Sequence, residues 1–150
     1  MKIRELMTRD PACCIPSDSA HRAGTLMRRF DIGALPVVND EHHRRLLGIV
    51  TDRDLCLFVV AANRLPAEVT VEECMKSNPV CCGPDDDASR ALELMRTHHV
   101  HRLPVVNPQG ILAAIVSLTD LVRYRALSEA DLELALEFLA QPAPVAPIQD

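Results

Sequence analysis

The stretch "GIVTDRDL", Gly48–Leu55, returns further along the chain as "AIVSLTDL", Ala114–Leu121. Each runs through β-branched apolar residues to a hydroxyl, Thr51 or Ser117, and then to an acid three positions on, Asp54 or Asp120. A strand passing directly into a helix reads this way, with a capping residue at the junction. Working outward, an offset of 68 residues lays Met7 on Met75, Pro11 on Pro79 and the Cys13–Cys14 pair on Cys81–Cys82. The same offset lays "LPVVN" (Leu35–Asn39) on "LPVVN" (Leu103–Asn107). Of the 33 positions from 7 to 39, 17 match their counterparts, so the chain carries an internal duplication. Beyond that point the offset shortens to 66, which sets Thr51 on Ser117 and Asp54 on Asp120. A deletion in the intervening polar loop accounts for the change of register.

Each copy follows one pattern. "PACCIP" reads as a short strand closed by proline. Ala20, Ala23, Leu26, Met27 and Phe30 recur at helical spacing, with Ser17, Asp18 and Ser19 as candidate N-caps. "ALPVVN" is a short apolar strand, and a polar turn leads from it to "LLGIV" in copy one or "ILAAIV" in copy two, so the two strands read as a hairpin. A last helix begins at the hydroxyl. The expected architecture is therefore α+β, two β-α-β-β-α repeats packed sheet against sheet, since one copy is too short to bury both faces of its own sheet. The divisions are 1–62 for the first repeat, 63–74 for a linker and the start of the second, 75–126 for the second repeat, and 127–150 for a tail. Within that tail an amphipathic helix is expected over Ser128–Ala140, followed by an extended Pro-rich end.

Composition bounds the function. Hydrophobic residues make up 48% of the 150, enough for a packed core. Aromatics are only 3%, so Val, Leu, Ile, Ala and Met must fill that core. A net charge of −5 with both signs interleaved argues against nucleic acid as partner, because phosphate backbones call for a concentrated basic face. No apolar run is long enough for a signal peptide or a bilayer span, which points to a cytoplasmic protein with no membrane partner. The six cysteines are then expected to be reduced thiols, and with no C-x-x-C spacing a zinc site has little support. One of each Cys pair reads as a small buried hydrophobe. His98 and His99 suit a helix C-terminus, and His42 and His43 fall in a polar turn. No metal ligands and no nucleophile–base pair stand out, so catalysis is not expected.

The hydroxyl and the acid admit two readings. Thr51-x-x-Asp54 and Ser117-x-x-Asp120 have the spacing of a capping box, which satisfies free N–H groups at a helix start. The same spacing suits a nucleotide. Free N–H groups and a hydroxyl favour a phosphate, a carboxylate one turn on can accept from a ribose diol, and apolar strand residues can flank a base.

These motifs resemble the cystathionine-β-synthase (CBS) domain, whose signature is a strand followed by Ser/Thr-x-x-Asp. The likeness covers about Met1–Tyr124. It implies two CBS repeats related by a pseudo-twofold axis, with two clefts that take adenosine-containing ligands: AMP, ADP or ATP, with NAD or S-adenosylmethionine as further members of the class. It implies no required cofactor, a regulatory role in signal transduction as an energy or metabolite sensor, and a homodimer with a protein target still to be named. "VHRLPVV" followed by "IVSLTD" is also similar to a repeat of the γ subunit of AMP-activated protein kinase. By that resemblance His101 and Arg102 contact phosphate, Ser117, Thr119 and Asp120 hold phosphate and ribose, and Ile115 lies near the base. Copy one has Gly33 and Ala34 in place of the His-Arg pair and retains Thr51, Arg53 and Asp54. The stronger site is expected in copy two. A protein-interaction module with vestigial clefts, and a metal- or redox-responsive module, are the competing classes.

Overall fold

The computed structural model describes residues 1–141, so most of the Pro-rich end lies outside the described residues. In chain order, copy one comprises β1 (Thr8–Arg9), α1 (Ala20–Phe30), β2 (Ala34–Val38), β3 (Leu46–Thr51) and α2 (Asp52–Leu55). A π-helical turn over Cys56–Val60 prolongs α2. Copy two comprises α3 (Val71–Cys74), β4 (Lys76–Ser77), α4 (Ala88–Thr97), β5 (Arg102–Val106), β6 (Leu112–Ser117) and α5 (Leu118–Arg123), and α6 (Glu129–Leu139) closes the described chain.

Local chemistry explains most of these boundaries. The Ser19 hydroxyl accepts from the Arg22 N–H at 3.1 Å and opens α1. Asp31 ends that helix in the left-handed conformation. "PACCIP" forms less strand than expected: Cys14 and Cys82 each make one parallel bridge, to Val37 and Val105. The reason is an immediate turn. The Asp18 carboxylate accepts from the Ile15 N–H at 3.0 Å, and Asp86 accepts from the Gly83 N–H at 2.8 Å, which bends the chain away from the ladder.

The sheets are exchanged between the copies. β2, β3 and β4 form one antiparallel sheet, and β1, β6 and β5 form the other. Thus β1, the first strand of copy one, pairs with β6 of copy two (Thr8 opposite Ile115), and β4, the first strand of copy two, pairs with β3 of copy one (Gly48 opposite Ser77). Side chains follow the strands. Ile3 and Leu6 fill the copy-two core, while Val69, Val71 and Cys74 fill that of copy one. Burial is divided into two clusters, each between a sheet and its helices, with Met27 in one and Met95 in the other. The hairpin tips join the halves: the Leu46 N–H donates to the Gly110 carbonyl at 3.0 Å, and the Leu112 N–H to Arg44 at 2.8 Å.

Strand alternation divides each inner strand between core and cleft. Leu35 and Val37 point into the copy-one cluster, whereas Ala34 and Pro36 border a cavity on the opposite face. Ala114 and Val116 likewise belong to the copy-two cluster, leaving Ile115 and Ser117 for that cavity.

Candidate ligand cleft

Both hydroxyl–acid pairs close as capping boxes. The Asp54 N–H donates to Thr51 Oγ1 (3.2 Å), and Asp54 Oδ2 accepts from the Thr51 N–H (2.9 Å) and from its hydroxyl (3.0 Å). In copy two the Asp120 N–H donates to Ser117 Oγ (3.1 Å), and Asp120 Oδ2 accepts from the Ser117 N–H (2.9 Å) and hydroxyl (2.7 Å). The bonds are the same but the surroundings differ. Asp54 is 4% exposed. Asp120 is half-buried and lines a cavity of about 690 Å³, within the size range of small-ligand sites.

Five of the residues singled out in the sequence share that cavity: Arg102, Ile115, Ser117, Thr119 and Asp120. β6 delivers Ile115 and Ser117, the first turns of α5 deliver Thr119 and Asp120, and Arg102 starts the neighbouring β5 opposite Ser117. The rest of the lining comes from copy one, from the end of α1 to Pro36 and from Thr8, Asp10, Pro11 and Ala12. Gly33 leaves room there: a β-carbon on it would stand 3.3 Å from Arg102 Nη1 and 3.0 Å from Asp52 Oδ2. The absence of that carbon lets a copy-two guanidinium lie across the boundary beside a copy-one carboxylate.

Other residues stand elsewhere. His101 is outside the cavity lining, and its ring meets Phe138 of α6 edge-on, with centroids 4.8 Å apart and planes at 81°. Thr51, Arg53 and Asp54 belong to the other repeat and do not line this cavity. Among the lining residues that escaped the sequence reading are Asp10, Phe30, Asp31 and Arg123. Arg123 lies three positions beyond Asp120 on one helix face, a spacing that could have flagged it. The other three come from the opposite repeat, and nothing in the periodicity of one copy points to them.

Burial disfavours the thiolate at five of the six cysteines, Cys56 being exposed. Desolvation raises Cys14 and Cys82 to about 12, far from a reactive thiolate, and burial also raises Cys13, Cys74 and Cys81. Among the described residues, no group of three or more His, Cys, Asp or Glu side chains is arranged to hold a metal ion. Among the same residues, no helix is long and apolar enough to cross a membrane.

Comparison with known proteins places the chain. It is 38% identical over 120 residues to the uncharacterized protein YlbB of Bacillus subtilis (strain 168), a match covering 80% of this chain and 79% of that one. It is 31% identical over 129 residues to the inosine-5'-monophosphate dehydrogenase of Methanocaldococcus jannaschii, covering 86% of this chain but only 24% of the enzyme. The crystal structure of CBSX2 in complex with AMP superposes with a TM-score of 0.71 at 25% identity, over 83% of this chain and 95% of that one. The model of the CBS domain matches twice, at residues 3–61 and 71–127. Matched in both copies and folded as a pair, the chain belongs to the CBS-domain family.

Proposed function

We propose that the chain is a regulatory module that binds an adenine nucleotide (AMP, ADP or ATP) in the cleft bordered by β6 and α5. What supports this most is that Arg102, Ile115, Ser117, Thr119 and Asp120 border one cavity of ligand size. Ile115 offers an apolar contact to a base. The cap on Asp120 uses Oδ2 alone, so Oδ1 can accept from a ribose hydroxyl. Arg102 and Arg123 supply guanidinium groups for phosphate, with Ser117 as a further donor. His101 stands outside this lining, against Phe138. The AMP held by CBSX2 is consistent with this class of ligand.

Because the cleft wall is contributed by both copies, a ligand there favours one relative setting of the repeats, by as much as its affinity differs between settings. A partner protein would read that setting, and the module acts in the cytoplasm without catalysing a reaction. The exposed apolar face of Leu57, Phe58 and Val60 supports a homodimer, which sedimentation at varied concentration reads directly.

Calorimetric titration with AMP tests the binding. Saturable heat near one site per chain is expected, with ligand at a hundredfold its Kd adding about 2.7 kcal/mol of stability. Asp120→Ala should abolish the heat while lowering stability by about 1 kcal/mol or less, since it removes the acid half of the capping box and leaves the Ser117 cap in place. The competing reading is an interaction module whose acids serve only as caps, and it is favoured by the closed boxes in both copies. No heat with any adenine nucleotide would leave that reading standing.

A further inference from the structure

The cavity lining carries three aspartates to its two arginines. Asp10, Asp31 and Asp120 share the lining with Arg102 and Arg123, and Asp52 and Arg102 both approach Gly33. Among the described residues, none of the ion pairs engages Asp10, Asp31, Arg102 or Arg123, so these charges are available to a ligand.

Asp10 and Asp31 are not required by the fold. Both sit in left-handed turns, at φ 46° and 52°. Across the pseudo-twofold, the same turns are made by Asn78 at φ 49° and His99 at φ 52°. These positions call for a residue that accepts a positive φ, and asparagine meets that requirement as well as aspartate. Carboxylates stand there only in the copy whose turns border the cavity.

We propose that Asp10 and Asp31 are specificity-determining residues that restrict this cleft to adenosine ligands bearing one phosphate or none. The proposal rests on the adenine-nucleotide reading above and narrows it. Two guanidinium groups can meet one phosphate. Each added phosphate brings further negative charge into a cavity that holds two exposed carboxylates, and like charges within a screening length repel until salt screens them.

The test compares AMP with magnesium-free ATP by calorimetric titration, for the unaltered chain and for Asp10→Asn/Asp31→Asn. The unaltered chain should bind AMP at least about tenfold more tightly than ATP, equivalent to about 1.4 kcal/mol. In the double variant that ratio should fall to about threefold or less, chiefly through tighter ATP binding. Raising salt from about 0.01 M to about 1 M shortens the screening length from about 30 Å to about 3 Å. The same narrowing should then appear in the unaltered chain, a readout that does not depend on the variant folding. Equal affinities for AMP and ATP, or a ratio unmoved by both the variant and salt, would overturn the proposal while the cleft remained an adenosine site. Failure of adenosine, AMP and ATP alike to bind would instead overturn the reading beneath it, and the proposal with it.

Discussion

Cys14 and Cys82 each bridge an inner strand through a single parallel pair, and both side chains are turned into a core cluster. Burial moves each thiol from an ordinary value of 9.0 to about 12. At pH 8 the thiolate fraction is then about one part in ten thousand, and an alkylating reagent should modify exposed Cys56 well ahead of either buried thiol. Peptide mapping after a timed pulse reads this, and rapid labelling of Cys14 or Cys82 in the folded chain would contradict it. The folded state holds these protons more tightly than the unfolded state does. Their contribution to stability is therefore fully present below pH 9.0 and is lost as pH rises from there through about 12. Denaturant midpoints taken from pH 8 upward should fall across that window. The reading of one cysteine per pair as a buried hydrophobe needed only the alternation of a strand. His101 illustrates the opposite case. Its place in the sequence says nothing of Phe138, because that contact is made by a residue far along the chain, on α6.

At the scale of elements, helices and hairpins were legible because their signals are local: apolar spacing for α1, a polar turn between β2 and β3, a hydroxyl where β3 meets α2. The partners of the shortest strands were not. β1 and β4 are two residues each, too brief to carry a periodicity, and the 68-residue offset shows that segments recur without showing which sheet each joins. The trace left in the sequence is Gly48. A β-carbon there would come within 2.7 Å of the Lys76 carbonyl oxygen and 2.9 Å of Met75 Sδ, so β4 as it lies against β3 would have to shift to admit a side chain. Gly48→Ala is expected to force β4 outward and to cost about 1–3 kcal/mol, the range of overpacking substitutions. Urea denaturation measures the cost. A change below a few tenths of a kcal/mol would mean that β4 moves aside without consequence for the copy-one core.

For the whole molecule, the exchange of β1 and β4 makes the two repeats interdependent, although the family model matches them as separate stretches. A fragment ending at residue 64 would retain α1, β2 and β3 but lack Val69, Val71 and Cys74, all at or below 1% exposure in the copy-one cluster. The complementary fragment from residue 65 would lack Ile3, Leu6 and the strand that covers β6. Each would expose apolar surface that the intact chain buries, at about 25 cal/mol per Å². A domain of that size has little stability to spare. Neither fragment alone is therefore expected to show a cooperative thermal transition by circular dichroism, whereas an equimolar mixture should regain one, since each supplies the leader the other needs. The intact chain should unfold in a single transition. A cooperative melt from either isolated fragment would mean that its own helices and hairpin suffice. In that case the exchanged segments would serve the cleft alone, where Thr8, Asp10, Pro11 and Ala12 are part of the lining. The same interdependence bears on signalling. The segment that leads into copy one both completes the copy-two sheet and borders the cavity, so a ligand held there touches the joint between the repeats, where a change in their relative setting begins.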